Sequence, residues 1–530
     1  MGYNNPPMEK SDKTKTGEIL NRAGVIDIGS SSIKLIIGEA EGADIRILEH
    51  LKNPVPIGRY TFYKGIIPQE SINQILEILA KYKEVLAAYD VPKVVLFATT
   101  AVREARNRDI FLDTLLRKTG FRAEVFTAGD VVYYIDSYIH HKLKDTYPIH
   151  EKNLLIAELG AGSLDVSVME KGFTLFHMGL ALGTLRVRQL MAKLSGSAAE
   201  TVDAVGEYIE NEFLYLKHVF PDIDLDDVIL IDETFGPYLG RLTERAGREE
   251  KFFKLQIDEA KKALALVVDK SPQEIEREYK IPVETAENIT GYLIILNNFF
   301  GLLKSRYIYI LETSLAEAVL ANDLLGIELA KRYNKTNQLI SAAKFICKRY
   351  SVDLAHSKHV TELARTIFDN LKGQLGLLDD DALYLLLAGY LHDIGSFVHN
   401  RSHHKHSEYI IGYLNLFRLS EQEIRMIACI ARYHRKAPPM NSHLLYNSLD
   451  RDKKIIVQKL SAILRVANAL DSSHRQKIKK LEIKYGKNQE VILVAHTAKS
   501  IALEEADFAD KKDFFEEVTG SKMLLKVSPD

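Results

Sequence analysis

The chain has 530 residues, of which 46% are hydrophobic and 27% are charged, so it is long enough for about three or four globular domains. Its 70 basic and 72 acidic side chains leave a formal charge of −2, which argues against a dedicated nucleic-acid or membrane-surface protein. No stretch approaches the ~18 uninterrupted apolar residues of a membrane span, so we expect a cytoplasmic protein.

The first residues and the two cysteines give simple expectations. The polar beginning of the chain has no apolar segment of signal-peptide length, and we expect residues 1–20 to form a flexible tail. Cys347 and Cys429 lie in apolar, helical-looking surroundings, which predicts buried free thiols.

A first α/β unit begins near Gly24. Val25–Ile28 and Ile33–Ile37 are typical of two strands joined by the turn Gly29–Ser32, and Lys93–Ala98 is typical of a third strand. Ser71–Tyr89 carries apolar residues at helical spacing.

A second unit near Asn153 repeats this plan. Leu154–Leu159 predicts a strand that ends close to an acid, residues 160–163 form a glycine–serine turn, and Asp165–Met169 predicts the returning strand. Val228–Ile231 adds another short strand. The duplication predicts two related lobes that face each other across a cleft.

The pattern changes after about Gly326 to long amphipathic helices, with expected breaks at 373–376, at 400–406 and at Pro438–Pro439. Alternating apolar residues return from Leu481 to Lys526 and predict a small α/β domain. The predicted domains are therefore two lobes, a helical domain and a small C-terminal domain, at 21–148, 149–326, 327–480 and 481–530.

Both glycine–serine turns have the composition of phosphate-binding loops. Glycine lets the backbone approach a phosphate closely, and successive N–H groups and hydroxyls donate to its oxygens. Asp27 before the first turn could hold a divalent cation or orient water. A hairpin turn that uses glycine and serine for its geometry alone is the alternative for either copy, and two copies at equivalent places favour phosphate binding.

Arg103 follows the strand that ends at Ala98. Thr99 and Thr100 could cap the next helix, and Arg103, one turn later, could bind an oxyanion with two donors. A surface arginine paired with an acid such as Glu104 is the alternative.

Four motifs in order resemble the exopolyphosphatase / guanosine pentaphosphate phosphatase family; they lie at 25–34, 98–107, 158–163 and 182–186. The resemblance implies an α/β two-lobed actin-like (ribonuclease H-like) ATPase superfold, followed by an all-α HD-type domain and a small α/β tail. It also implies Mg²⁺ and a glutamate that activates water to release a terminal phosphate. The implied phosphate-binding residues are Asp27, Gly29, Ser30, Ser31, Ser32, Arg103, Gly160, Gly162 and Ser163.

The sequence departs from this family at the chemical centre. The family's catalytic glutamate falls on Val131, which cannot accept a proton, so Asp130, Glu158 or Asp165 would have to replace it. Ala161 stands where the family has glycine, and its methyl group would hinder the approach of a phosphate. Binding without efficient hydrolysis is therefore an open alternative for the front half.

A histidine–aspartate constellation marks the helical domain. His356, the doublet His392 and Asp393, and Asp471 lie on predicted helices and resemble the metal-dependent histidine–aspartate phosphohydrolases. Imidazoles and carboxylates on facing helices suit Mn, Fe, Mg or Zn. The alternative is a set of core histidines inherited with the fold. Further ligands or anion-binding groups could come from His403, His404, His406 and His434.

Three functions follow from these motifs. The first is a phosphoanhydride hydrolase acting on polyphosphate or pppGpp in the cleft between the lobes. The second is an HD-type metal phosphohydrolase whose lobes only bind a phosphorylated nucleotide or polyphosphate. The third is a non-catalytic regulator that binds an alarmone or polyphosphate. The resemblance adds a homodimer as the expected assembly. From the balanced charge and the lack of a long apolar stretch we expect neither nucleic acid nor a membrane as a partner.

Overall fold

The structure, a computed structural model, describes residues 21–243, 251–303, 306–487 and 490–529. The predicted flexible tail at 1–20 lies outside the described residues. The strands are β1 (Arg22–Ile28), β2 (Ser32–Glu41), β3 (Asp44–Pro54), β4 (Lys93–Ala98), β5 (Ala123–Val125), β6 (Asn153–Leu159), β7 (Leu164–Glu170), β8 (Phe173–Leu180), β9 (Asp227–Ile231), β10 (Phe252–Gln256), β11 (Tyr307–Leu311), β12 (Lys480–Tyr485), β13 (Val491–His496) and β14 (Met523–Ser528).

The helices of the first half are α1 (Ile57–Lys64), α2 (Gln69–Ala88), α3 (Thr100–Arg103), α4 (Arg108–Thr119), α5 (Ala128–Lys142), α6 (Thr184–Met191), α7 (Ala198–Val219), α8 (Gly236–Leu242), α9 (Ile257–Val267), α10 (Pro272–Tyr279) and α11 (Val283–Leu303). The later helices are α12 (Leu315–Arg332), α13 (Lys335–Arg349), α14 (Leu354–Leu375), α15 (Asp381–Leu391), α16 (His403–Gly412), α17 (Glu421–Arg432), α18 (Leu444–Asn447), α19 (Arg451–Ala469) and α20 (Ala502–Thr519). None of these described helices is long and apolar enough to cross a membrane.

One compact unit consists of the described residues 21–125 together with Ser314–Glu328. Its sheet has the order β3-β2-β1-β4-β5, with β1 antiparallel to β2 and parallel to β4. The central strands are rich in β-branched and leucine side chains that are buried, as expected of strands covered on both faces.

The other compact unit consists of the described residues within 126–313 and 329–529. Its large sheet has the order β10-β11-β9-β6-β7-β8. The stretch β8-β7-β6-β9-β11 repeats the order and the strand directions of β3-β2-β1-β4-β5, because β6 is antiparallel to β7 and parallel to β9. The predicted duplication of a mixed sheet is therefore confirmed.

The same unit also contains a helical part. Helices α13 to α19 share one hydrophobic core, and the small sheet β12-β13-β14 packs on it through residues such as Leu493 and Met523. Cys347 and Cys429 lie in this core as free thiols, as predicted. The core positions the helix ends that carry the histidines described below.

The compact units do not follow the predicted domain boundaries at two helices. Helix α5 groups with the second unit, since it packs against β7 and β8, and most of α12 groups with the first. Leu320 of α12 approaches the backbone of β2 at Gly38, where an added Cβ would lie 2.9 Å from its side chain. The boundaries 148/149 and 326/327 stay predictions about sequence segments.

Candidate functional site

The first glycine–serine loop is a tight turn between β1 and β2. The N–H of Gly29 donates to the carbonyl of Ser32 at 3.0 Å. The carbonyls of Ser30 and Ser31 accept from backbone N–H groups of the following segment at 2.8 and 3.0 Å. Asp27 is buried at the end of β1, and its Oδ1 would lie 3.8 Å from a Cβ added at Gly29. The loop is thus held in place with a carboxylate beside its glycine.

Arg103 lies at the end of the short helix α3 and is half-buried. One of its guanidinium nitrogens donates to the hydroxyl of Thr100 at 3.1 Å. Thr99 occupies the N-cap position of α3 without a side-chain capping bond, so the predicted capping role of Thr99 is wrong. The short helix still places a guanidinium near the end of β4.

The second glycine–serine loop has the same internal bond as the first. The N–H of Gly160 donates to the carbonyl of Ser163 at 2.9 Å. The start of α6 holds the loop, because the N–H groups of Thr184 and Leu185 donate to loop carbonyls at 3.2 and 3.0 Å. Arg186 Nε donates to the carbonyl of Gly162 at 2.7 Å. The two loops therefore share a turn geometry that the sequence repeat predicted.

Two carboxylates lie side by side at the second loop. Glu158 and Asp165 are directly paired residues of the antiparallel strands β6 and β7. Paired residues of adjacent strands point to the same face, so two like charges meet there. Ser163 Oγ donates to Asp165 Oδ2 at 2.8 Å. This pairing favours a bound divalent cation, which would neutralise both groups.

Val131 faces this carboxylate pair. It is buried and lines a cavity of about 10 Å³ together with Glu158 and Asp165. A cavity of this size has room for about one water molecule. The position to which the resemblance assigns a catalytic glutamate is therefore adjacent to the second loop, and it carries an apolar side chain.

Asp130, the neighbour of Val131, has a structural role. Its carboxylate accepts from the backbone N–H and the hydroxyl of Thr127 at 2.9 and 2.8 Å, which forms the capping box of α5. Arg418 also lies 3.4 Å from its Oδ1. Use of Asp130 as a general base would break the cap, so this geometry favours Glu158 and Asp165 among the three predicted catalytic residues.

A buried carboxyl group lines the other end of the cavity. Asp136 accepts hydrogen bonds from Ser167 and Thr174, at 2.9 and 2.8 Å, and contacts the hydroxyl of Tyr333 at 3.4 Å. Burial raises the pKa of Asp136 to about 7, although these hydrogen bonds oppose the shift. The group links α5 to β7, β8 and the end of α12.

The histidines of the helical domain converge on Asp393. His356 and His392 form one pair, with Nε2 atoms 3.3 Å apart. Their Nε2 atoms lie 3.9 and 3.5 Å from Asp393 Oδ2. The Nδ1 of His392 donates to the carbonyl of Gly389 at 2.8 Å, which fixes the orientation of the ring.

A second pair of histidines faces the other oxygen of Asp393. The Nε2 atoms of His403 and His434 are 3.3 Å apart and lie 3.1 and 3.7 Å from Asp393 Oδ1. Both Nδ1 atoms donate to backbone carbonyls three residues earlier in the chain, those of Asn400 and Ala431, at 3.0 and 2.6 Å. Two groups of possible metal ligands share Asp393: His356 with His474, and His392 with His434.

The ionisation of these groups suits metal binding. Burial lowers the pKa of His392, and it lowers the pKa of His434 well below the ordinary value, so both imidazoles are neutral near pH 7. Burial opposes ionisation of Asp393, but His392 and His403 outweigh it and hold the pKa of its carboxyl well below the usual range. Neutral imidazoles and an ionised carboxylate are the forms that bind metals.

Asp471 lies behind His356 in this arrangement. Its Oδ2 accepts from Nδ1 of His356 at 2.9 Å, and its Oδ1 accepts from the N–H of Gln476 at 2.7 Å. Burial raises the pKa of Asp471, but the bonds from His356 and Gln476 outweigh it and lower the pKa. A carboxylate behind a ligand histidine orients the ring, so the geometry gives Asp471 a positioning role.

The structure brings His356, His392 and Asp393 together, as the sequence predicted, and adds histidines that the motif reasoning ranked lower. His434 belongs to one group of possible ligands, and His403 contacts His434 and Asp393 without belonging to either group. Among the described residues, His404 and His406 are likewise in neither group. His474 was missed altogether; its ring stacks on His356 with centroids 3.6 Å apart.

Comparison with known protein families shows to which family this chain belongs. The sequence pattern of the Ppx/GppA phosphatase family matches residues 35–326, and that of Ppx/GppA phosphatase domain III matches residues 339–512. The chain belongs to the Ppx/GppA phosphatase family. The predicted family is thereby confirmed, and with it the class of activity, a phosphatase acting on phosphoanhydrides. The HD-type assignment of the helical domain stays a prediction.

Individual Ppx/GppA relatives are distant. A protein of Pseudoalteromonas translucida named guanosine-5'-triphosphate,3'-diphosphate pyrophosphatase is 21% identical over 462 residues, covering 84% of this chain and 86% of the relative. An exopolyphosphatase 1 of Mycobacterium leprae is 26% identical over 110 residues, covering 21% of this chain and 32% of the relative.

Solved structures agree with the actin-like fold. An exopolyphosphatase from Cytophaga hutchinsonii has a TM-score of 0.51 at 19% identity and covers 58% of this chain and 99% of that structure. The Aquifex aeolicus member of the Ppx/GppA family has a TM-score of 0.50 at 19% identity and covers 58% of this chain and 98% of that structure. The predicted two-lobed fold with mixed sheets is confirmed.

Proposed function

We propose that this Ppx/GppA family member releases terminal phosphate from polyphosphate or from a phosphorylated guanine nucleotide such as pppGpp, using Mg²⁺. The observation that carries the proposal is the repeated loop, in which a glycine N–H closes the same turn at 3.0 Å in the first copy and 2.9 Å in the second. Each loop has a carboxylate next to its first glycine. A pre-formed turn of this kind binds phosphate without reorganisation.

The proposed roles follow from the surroundings of each residue. Backbone N–H groups and hydroxyls of the two loops bind phosphate, and Arg103 supplies a guanidinium in the first unit. Glu158 and Asp165 hold Mg²⁺ and the attacking water, because the two carboxylates are paired across β6 and β7. Asp130 is the third candidate base, and its place in the capping box makes it the weakest of the three. The predicted homodimer stays an expectation from the family resemblance, and the predicted cytoplasmic location stays an expectation from the sequence.

The test is phosphate release from polyphosphate and from pppGpp with Mg²⁺. We expect release by the wild type and at least a tenfold loss in Glu158→Gln, which keeps the size of the side chain and removes its charge. Glu170→Gln, an exposed position at the end of β7, is the matched control and should retain full activity. Equal activity of the two variants would contradict the role of Glu158.

A second candidate function is supported by the convergence of His356, His392 and Asp393. These groups lie within 3.3–3.9 Å of one another, near the start of α14 and just after the end of α15. We infer that the helical domain is a metal-dependent phosphohydrolase using Mn, Fe, Mg or Zn. Arg435 lies 3.4 Å from His403 Nε2 and supplies a guanidinium for an anionic substrate at the edge of the cluster.

A bound cation in this domain would polarise a phosphoryl oxygen and lower the pKa of bound water. The expected result is hydrolysis of bis(p-nitrophenyl) phosphate with Mn²⁺ by the wild type, lost in His356→Ala. The control is His406→Ala, on the same helix as His403. Unchanged hydrolysis in His356→Ala, or none in the wild type with any of the four metals, would refute this second function.

A further inference from the structure

The groups nearest to the second glycine–serine loop leave the attacking water without a good proton acceptor. In the proposed function Glu158 and Asp165 hold the cation, and a carboxylate that binds a cation has to stay deprotonated. Asp130 is held in the capping box of α5, and the side chain of Val131 cannot accept a proton. Attack of water on a phosphate releases a proton, and a positioned acceptor for that proton accelerates the reaction.

Asp136 lies on the same face of α5 as Val131. Both side chains line the small cavity together with Val132 and Ile135, and these four positions share one face of a helix. Asp136 is the acid that α5 contributes to the lining of this cavity. A carboxyl group is therefore present there, about 7.5 Å further along the helix axis than the position of the family's glutamate.

The cavity joins Asp136 to the paired carboxylates of β6 and β7. Its lining on the side of the sheet includes Glu158, Asp165 and Ser167. A volume of about 10 Å³ holds one water molecule, and these polar side chains give that water the two or more hydrogen-bonding partners that it needs. A water molecule in the cavity would therefore connect Asp136 to the carboxylate pair.

We propose that Asp136 accepts, through one water molecule in this cavity, the proton that the attacking water releases. This inference rests on the proposed phosphatase function and assigns its proton path. The oxygen of the attacking water bonds to the terminal phosphorus, and the bond from that phosphorus to the bridging oxygen breaks, with the electron pair going to the bridging oxygen. The cavity water takes the released proton and gives one of its own to Asp136. Orthophosphate and the shortened substrate then leave, and Asp136 returns the proton by the same route.

The surroundings of Asp136 suit a group that gains and loses a proton. Burial raises its pKa to about 7, and a proton acceptor works best when its pKa lies near the working pH. The titratable side chains that face it from other elements are Tyr333, Glu158 and Asp165. His140, one turn along α5, and His177, paired with Ser167 on the next strand, are neutral at this pH because burial lowers their pKa to about 3 and about 4.

The experiment measures kcat for Mg²⁺-dependent phosphate release as a function of pH, with polyphosphate and with pppGpp. In the wild type, kcat should rise with pH through an inflection near pH 7. Asp136→Asn should lower kcat at least about tenfold above pH 7, remove the inflection and change KM by less than about twofold. Asp145→Asn, at an exposed position just beyond α5, is the control and should keep the profile of the wild type.

Thr174→Val distinguishes proton transfer from packing. The substitution keeps the size of the side chain and removes one hydrogen bond that favours the ionised form of Asp136, and Thr174 is not part of the cavity lining. The pKa of Asp136 then rises, so the inflection in kcat should move to higher pH by about 0.5–1, with the rate at high pH retained. A purely structural role of Asp136 would leave the inflection in place and change only the midpoint of thermal unfolding.

A wild-type kcat in Asp136→Asn, or an inflection near pH 7 that persists in this variant, would overturn the inference. An unmoved inflection in Thr174→Val would overturn it as well, and this variant decides the question where circular dichroism shows that Asp136→Asn is unfolded. Each of these results, obtained with an active wild type, leaves the proposed function standing. No phosphate release by the wild type from either substrate would refute the proposed function and the proton path with it.

Discussion

Val131 is the position to which the family resemblance assigns a catalytic glutamate. Its apolar side chain is buried and lines a small cavity together with Glu158 and Asp165. A glutamate in its place would point at the same small cavity. The absence of a carboxylate at this position is therefore due to one side chain and not to a change in the surrounding fold.

The substitution Val131→Glu tests this directly. We expect it to increase Mg²⁺-dependent phosphate release by at least about tenfold, since a positioned general base contributes roughly 10²–10⁴ to a rate. Val131→Gln, which has the same size and cannot accept the proton, should show no increase. Equal rates in the two variants, measured as kcat on polyphosphate and on pppGpp, would show that position 131 does not face the reacting water.

The raised pKa of Asp136 predicts how the stability of the folded protein depends on pH. Burial raises its pKa to about 7 from 3.8, so the folded state holds a proton that the unfolded state has lost above about pH 4. The contribution of Asp136 to the free energy of unfolding therefore falls as the pH rises towards about 7 and no longer changes above it. In Asp136→Asn, which resembles the protonated acid, this loss should disappear.

The difference in unfolding free energy between Asp136→Asn and the wild type should grow by about 3 kcal/mol between pH 5 and pH 8. Urea unfolding followed by circular dichroism measures it. The exposed Asp203 provides the control, because Asp203→Asn should leave the pH dependence of the wild type unchanged. A constant difference for Asp136→Asn at both pH values would mean that Asp136 is ionised in the folded protein.

At the scale of secondary-structure elements, the second glycine–serine loop and the start of α6 are joined by backbone hydrogen bonds. Helix α6 begins where its first N–H groups bond the loop carbonyls, and Gly183 lets the two backbones meet. A Cβ at Gly183 would lie 2.4 Å from the carbonyl oxygen of Ala161, a backbone atom that cannot move alone. A Cβ at Gly160 would only reach ordinary contact, 3.5 Å from the carbonyl of Ser163.

Substitutions at these two glycines therefore distinguish an effect on folding from an effect on phosphate binding. Gly183→Ala should destabilise the second unit by about 1–3 kcal/mol, the usual cost of an overpacked site, with a matching fall in its thermal midpoint. Gly160→Ala should retain the midpoint and lose phosphate release, because its methyl group would lie where the phosphate approaches the backbone. Full activity in a folded Gly160→Ala would exclude this loop as the phosphate site.

The strands that the sequence predicted are those with β-branched and leucine runs, such as β6, which is largely buried, and β4, whose second half is buried. Strand β3 was not predicted, because it is an edge strand whose charged side chains alternate irregularly with apolar ones. The polar run 400–406 was predicted as a break, yet α16 begins inside it at His403. A polar sequence next to a helix start does not reveal that its histidines face inward.

At the scale of the whole molecule, the repeat of the sheet could be predicted, because the second unit repeats the strand–turn–strand pattern in sequence. The convergence of His356, His392, His403 and His434 could be predicted only in part. These residues lie on or just beyond the ends of four different helices. Their spacing along the chain therefore does not predict the distances between their ring nitrogens. The pairing of the four rings about the two oxygens of Asp393 needed the structure.

The presence of two candidate sites makes a direct comparison of their key carboxylates the decisive measurement. Phosphate release from polyphosphate and from pppGpp is measured with Mg²⁺ and with Mn²⁺ for the wild type, Glu158→Gln and Asp393→Asn. The account predicts that Asp393→Asn retains phosphoanhydride hydrolysis and that Glu158→Gln loses it. Loss of release in Asp393→Asn, with full release in Glu158→Gln, would contradict it and place the phosphatase in the helical domain.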